Sequence, residues 1–208
     1  MGVSPTLLER FITLWVIVDP VGTVPVFIAV VRGVDTAQRR RIAVKAVLFA
    51  ASVLLFFLAF GQMLLETLGI TLNSFQIAGG IVLFLFALSM IFGESKPESE
   101  LKLAEKAHDD VAVFPLAVPS LAGPGSMLAV VLLTDSHRYS VADQAATALA
   151  LVVVLASALL LLLAASPINR LIGEAGASII SRVMGMILAA IAVDAVLDAV
   201  NTMYLGHT

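Results

Sequence analysis

Six long apolar stretches constrain the fold of this chain more than any other feature. Each approaches or exceeds the 20 or so residues that a helix needs to cross the hydrocarbon core of a bilayer. They are apolar almost throughout, without the alternation that marks strands of a membrane barrel. The sequence therefore predicts an all-α polytopic membrane protein with six transmembrane helices. The predicted spans are 8–31, 42–65, 73–93, 111–133, 144–166 and 178–204.

Composition supports a membrane domain and excludes several other classes. Of the 208 residues, 60% are hydrophobic and 13% are charged, whereas soluble domains have roughly 25% charged residues. The chain has no cysteine, which excludes a disulfide scaffold, a thiolate metal site and a cysteine nucleophile. The net charge is −3 without a basic face, so no nucleic-acid partner is expected. We expect one transmembrane domain, residues 1–208, in contact with membrane lipid.

The basic residues predict the orientation of the chain. All but two of the twelve, Arg10 and Arg138, lie in or beside the loops that follow spans 1, 3 and 5. Lysine and arginine are enriched in cytoplasmic loops. We therefore expect a multi-pass protein of the cell inner membrane with both termini outside. Residues 94–110, rich in charge, are predicted to form a solvated cytoplasmic loop.

Spans 1 and 4 contain residues that a plain transmembrane helix would avoid. Span 1 has Asp19 and Pro20 at its middle, and span 4 has prolines and glycines between 115 and 125. Proline removes a backbone donor and disfavours helix in the residue before it. Irregular backbone at membrane depth is tolerated where it is buried in protein or lines a cavity. The pattern predicts that helices 1 and 4 are broken at the midplane, although Asp19 followed by Pro20 is also an ordinary helix start.

The two broken spans occupy corresponding places in the chain. Each leads a set of three spans, in repeat 1 (1–93) and repeat 2 (111–208). Because three is odd, the second set would have the opposite orientation. The sequence thus predicts two inverted three-helix repeats, and paired interrupted spans in such repeats indicate a transporter binding site.

The residues at both breaks resemble those of the MarC family of prokaryotic inner-membrane proteins. The resemblance rests on the run from Asp19 to Phe27 and on the run from Pro115 to Gly125, and it covers nearly the whole chain. It implies a six-helix protein of the wider LysE-like transporter group. For SnatA-type members, it implies transport of glycine, alanine, serine or threonine coupled to an ion gradient.

The predicted ligand is a small zwitterionic amino acid, held where the helices break. Half-helix N-termini would hold its carboxylate, and free carbonyls with Asp19 would hold its ammonium group. Asp19 or Asp194 would carry the coupling ion, H⁺ or Na⁺, although Asp194 and Asp198 are also candidates for structural hydrogen bonds. The predicted substrate-binding residues are Asp19, Pro20, Gly22, Thr23, Pro119, Ser120, Ala122, Gly123, Pro124, Gly125 and Ser126.

Other function classes fit the sequence less well. An enzyme would need a nucleophile with a base, or a metal set, and the three histidines lie outside the spans. We therefore expect no enzymatic activity, no metal and no organic cofactor. The alternatives left open are a LysE-like exporter of amino acids or metabolites and a non-transporting accessory subunit. A homo-oligomer is compatible with the sequence.

Overall fold

The computed structural model describes residues 5–92 and 110–204, which form helices and the turns between them. No strand occurs in these two ranges. The predicted loop 94–110 lies outside the described residues except for its last position. The helices are α1 (Leu7–Val18), α2 (Pro20–Val30), α3 (Thr36–Thr67), α4 (Leu72–Phe92), α5 (Ala112–Leu121), α6 (Pro124–Leu132), α7 (Val141–Leu163) and α8 (Ala165–Tyr204).

These helices form an all-α polytopic membrane protein, as the sequence predicts. Five segments are long and apolar enough to cross a membrane: Leu7–Val30, Thr36–Thr67, Leu72–Phe92, Val141–Leu163 and Ser178–Tyr204. A sixth is formed by α5 and α6 together, which are bent by 53° at the break between them. The relation of the two halves as inverted repeats stays a prediction.

Two helix boundaries differ from the sequence prediction. Helix α3 begins at Thr36 rather than near 42, because the Asp35 side chain accepts hydrogen bonds from the backbone N–H groups of Ala37 and Gln38 at 2.9 and 3.0 Å. Arginines 39–41 are therefore helical and do not lie in a loop. The last span is confirmed as Ser178–Tyr204, but the helix that contains it, α8, begins earlier, at Ala165, and has a break at Gly173, with φ of 65°.

The core consists of two clusters of buried apolar side chains. The larger one joins α1, α2, α3, α5, α6 and α7 and includes Leu14, Leu54 and Leu151. The smaller one lies between α4 and α8 and includes Leu83, Met90 and Leu188. Many large apolar side chains remain on the outside, as expected where lipid replaces water as the surrounding medium.

Lys45 joins α3 to the start of the second half of the chain. Its ammonium group forms an ion pair with Asp110, which immediately precedes the broken span. The hydrogen bond from Lys45 holds the pKa of Asp110 below its ordinary value. Both side chains are largely exposed, so the pair adds little stability at neutral pH. That contribution disappears as the pH falls through the lowered pKa.

Arg10 is the most extensively bonded buried side chain in the described part of the chain, and its role could not be predicted from the sequence. It is 1% exposed. Its guanidinium donates to the Leu133 carbonyl at 3.2 Å, to the Thr147 hydroxyl and to Asp143 Oδ1 at 2.9 Å, and lies 4.9 Å from the Tyr139 ring centre. It therefore ties α1 to α7 and to the end of α6.

We expect Arg10→Ala to destabilise the protein by about 2 kcal/mol, because it removes the hydrogen bonds that the buried guanidinium donates to Leu133, Thr147 and Asp143. Thermal unfolding of the purified protein in detergent measures the effect. Arg32→Ala is the matched control, since Arg32 is exposed. Equal melting temperatures for the two variants would contradict an anchoring role for Arg10.

Candidate functional site

The first break is a single residue, Asp19, which ends α1 and begins α2. Its backbone is left-handed, with φ of 50° and ψ of 62°, and its N–H donates to the carbonyl of Trp15 at 3.1 Å. Its Oδ1 accepts from the backbone N–H of Gly22 at 3.0 Å, and Pro20 occupies the first position of α2. Asp19 is thus the N-cap of a half-helix, although it is 2% exposed.

Glycine at position 22 is required by this cap. A Cβ atom there would lie 2.0 Å from Asp19 Oδ2 and 2.7 Å from its carboxyl carbon. Any side chain would therefore push the carboxylate away from the N-terminus of α2. Gly22 is also one of the predicted substrate-binding residues, and in the structure it leaves room for the Asp19 carboxylate.

The second break is longer, because it contains three prolines. Phe114 and Val118 have extended backbone inside the wide helical segment α5, each before a proline with a cis peptide bond. Helix α6 then starts at Pro124, with Gly123 as an N-cap that supplies no side-chain hydrogen bond.

Local contacts close this second break. The Ser126 hydroxyl donates to the Leu121 carbonyl at 3.0 Å, and the Ala122 N–H donates to the Ala117 carbonyl at 2.8 Å. A Cβ atom at Gly123 would lie 2.7 Å from the carbonyl oxygen of Pro119. The chain therefore turns from α5 into α6 with little free space around Gly123.

The two breaks meet through a hydrogen bond between hydroxyl groups. The Ser120 hydroxyl donates to Thr23 Oγ1 at 3.2 Å, and the Thr23 hydroxyl donates to the Asp19 carbonyl at 3.0 Å. Both side chains are at least 95% buried. The structure thus brings Asp19, Gly22, Thr23 and Ser120 together.

A cavity of about 200 Å³ lies beside the second break. Among the predicted site residues, Gly125 and Asp194 line it. Asp19, Thr23 and Ser120 are instead packed inside the protein. The other lining residues come from α1, α4, α6, α8 and the residue after α6: Thr13, Ile17, Gln76, Leu83, Leu128, Ala129, Leu132, Leu133, Ile191, Ala195 and Asp198.

Three polar side chains around this cavity have different environments. Asp198 accepts from Gln76 Nε2 at 3.2 Å and lies 3.9 Å from Arg138 Nη1, consistent with a structural role. Asp194 has no hydrogen-bond or ionic partner among the described residues. Gln76 is not among the predicted site residues, because its lining of the cavity depends on how α4 packs against α8.

Residues 5–204 match the model of the MarC family, described as integral membrane proteins. This chain belongs to the MarC family. The match confirms the resemblance seen at the two breaks, and both breaks fall inside the matched range. No solved structure matches the chain.

The relatives match this chain over nearly their whole length. A UPF0056 membrane protein of Methanocaldococcus jannaschii is 37% identical over 193 residues, which are 92% of this chain and 94% of the relative. A UPF0056 membrane protein of Aquifex aeolicus is 34% identical over 199 residues, which are 94% of this chain and 92% of the relative. The UPF0056 inner membrane protein YhgN of Escherichia coli is 32% identical over 96% and 98%, respectively.

The capping role of Asp19 predicts different results for two substitutions. Asp19→Asn should keep the stability of the protein, because asparagine accepts the same hydrogen bond and tolerates left-handed backbone. Asp19→Ala should lower the stability by about 1–2 kcal/mol, because it removes the cap. Thermal unfolding in detergent compares the two variants, and equal loss in both would contradict the capping role.

Proposed function

We propose that this protein is a secondary active transporter of small neutral amino acids: glycine, alanine, serine and threonine. It would work by alternating access, with one three-helix half moving against the other, driven by H⁺ or Na⁺. The observation that carries the proposal is the contact between Ser120 and Thr23, which joins two broken helices inside the protein. Broken helices that meet in this way are where transporters bind substrates and coupling ions.

The two half-helices divide the binding of a zwitterion unequally. The N-terminus of α2 already has a carboxylate, that of Asp19. The N-terminus of α6 has no side-chain cap, and helix geometry leaves its first N–H groups without acceptors in the helix. An anion is favoured at such an end. We therefore assign the substrate carboxylate to the start of α6, at Gly125 and Ser126.

The cavity beside α6 suits a small substrate. Its volume of about 200 Å³ is below the 300 Å³ or so at which pockets for drug-sized ligands begin. Leucine and isoleucine side chains form much of the wall. The space between them fits a ligand that has a short side chain. Large hydrophobic drugs do not fit this space.

The coupling ion is assigned to Asp19 or Asp194, the two acids nearest the breaks. A carboxylate within a span is a functional candidate because it is costly to place there. Asp19 already has a structural task, since Oδ1 caps α2. A charge at Asp194 has no partner among the described residues, which makes that side chain available to bind an ion.

The proposed setting is the inner membrane. YhgN of Escherichia coli is an inner membrane protein by its description, and the same location is proposed here, with both termini outside. The distribution of basic residues supports that orientation. The protein would need no cofactor other than the coupling ion, and assembly into a homo-oligomer remains compatible with the proposal.

The proposal predicts gradient-driven uptake of labelled glycine and alanine into proteoliposomes. Imposed pH and sodium gradients, tested separately, would identify the coupling ion. Gly123→Leu should abolish uptake, because its side chain would collide with the Pro119 carbonyl. Leu160→Ile is the matched control, since Leu160 is 67% exposed on the outer face of α7.

Both variants must elute as folded protein before uptake is compared. No flux of any small amino acid in either direction, from folded wild-type protein, would contradict the substrate assignment. Outward transport alone would favour the LysE-like exporter. A complete absence of flux, together with stable capture of another membrane protein, would favour the accessory subunit.

A further inference from the structure

The side-chain amide of Gln76 has an orientation that its neighbours determine. Its Nε2 donates to the Ala195 carbonyl at 2.9 Å and to Asp198 Oδ2 at 3.2 Å. A flipped amide would place its oxygen against these two acceptors, so the nitrogen must face them. The amide oxygen is left without a donor among the described residues. Gln76 is 5% exposed and lines the cavity.

A buried acceptor without a donor is unfavourable and calls for an explanation. In the same cavity, Asp194 contributes a carboxylate that has no partner in the described part of the chain. Asp198 differs, because it accepts a hydrogen bond from Gln76 and lies 3.9 Å from the positively charged Arg138. Two acceptors from different helices, α4 and α8, are therefore available to a ligand that brings hydrogen-bond donors or positive charge.

The opposite polarity is found at Gly125, which lines the same cavity near the start of α6. The cavity thus has acceptors on α4 and α8, and a helix N-terminus with partial positive charge on α6. Its remaining walls are mostly apolar. This is the distribution of charge that a small zwitterion needs.

We propose that Asp194 and the amide oxygen of Gln76 form the site for the positively charged group that this protein binds. That group is either the primary ammonium of the amino-acid substrate or an alkali cation such as Na⁺. This assignment rests on the proposed function for the substrate, and it replaces Asp19 as the ammonium ligand. Gln76, which is neutral, serves as a specificity residue because it accepts from the ligand without adding a second charge.

The assignment predicts that the protein binds ligands through their positively charged group. Thermal unfolding of the detergent-purified protein would be measured with glycine, methylammonium chloride or sodium chloride, each at constant ionic strength set with choline chloride. A ligand that binds the folded state raises the melting temperature. Stabilisation by glycine and methylammonium identifies an ammonium site, and stabilisation by sodium alone identifies an ion site. No stabilisation by any of the three overturns the proposal.

Asp194→Asn should lower the affinity for the stabilising ligand by about ten-fold or more, because a charge-assisted hydrogen bond is lost. The unliganded variant should melt like the wild type, since Asp194 makes no bond to the described residues. Asp35→Asn is the matched control, because Asp35 caps α3 away from the cavity. Unchanged affinity in Asp194→Asn would overturn the proposal.

A second measurement uses the absence of cysteine from the chain. Thr13→Cys places the only thiol on the cavity wall. A cationic methanethiosulfonate should react with it about ten-fold faster than an anionic one, because the lining carries net negative charge. Adding Asp194→Asn should bring the two rates together. Equal rates with Asp194 present would overturn the proposal.

Failure of this site and failure of the transport proposal give different results. Glycine uptake that survives Asp194→Asn overturns the site and leaves the transporter. A second result is also distinct: sodium binds, the cationic reagent reacts faster with Thr13→Cys, both effects depend on Asp194, and no amino-acid flux is seen. This result supports the cation site and overturns the substrate assignment.

Discussion

Backbone groups that a broken helix exposes have no water partner in the hydrocarbon core, and this constraint explains much of the structure. The carboxylate of Asp19 satisfies an N–H group of α2, and the Ser126 hydroxyl satisfies a carbonyl of α5. These local bonds allow the breaks to be buried. The contact between Ser120 and Thr23 then joins the two breaks, so the helices that carry them must pack together.

The parts of the fold that follow local rules could be predicted from the sequence. Asp19 followed by Pro20 indicates a helix start wherever it occurs, and extended backbone at Phe114 and Val118 follows from the prolines after them. The start of α3 was also readable, because Asp35 is a good N-cap. It was placed too late because the apolar pattern marks where a helix enters lipid, not where it begins.

Contacts between distant parts of the chain could not be predicted. Ser120 and Thr23 are 97 residues apart, and Arg10 and Asp143 are 133 apart. Nothing in one sequence indicates which buried hydroxyl or carboxylate will face which donor. Gln76 was left out of the predicted site because the sequence does not show that α4 packs against α8 there, and a single glutamine in an apolar span is usually a structural hydrogen-bonding group.

The structure also separates two acids that the sequence could not distinguish. Asp19 and Asp194 both lie in apolar spans, and both are candidates for function by that criterion. In the structure, Asp19 caps a helix inside the protein, whereas Asp194 lines a cavity. One carboxylate therefore supports the break, and the other is available to a ligand beside it.

The most direct test of this account is a disulfide between Thr23→Cys and Ser120→Cys in the cysteine-free chain. The wild-type hydroxyl oxygens lie 3.2 Å apart, so two thiols in their places need to approach by only about 1 Å to reach the S–S bond length of about 2.05 Å. Oxidation of the purified double variant should form an intramolecular bond, seen as a reducible shift on a denaturing gel. Pairing Thr23→Cys with Leu160→Cys, on the outer face of α7, should give none. A folded double variant that remains fully reduced would contradict the meeting of the two broken helices.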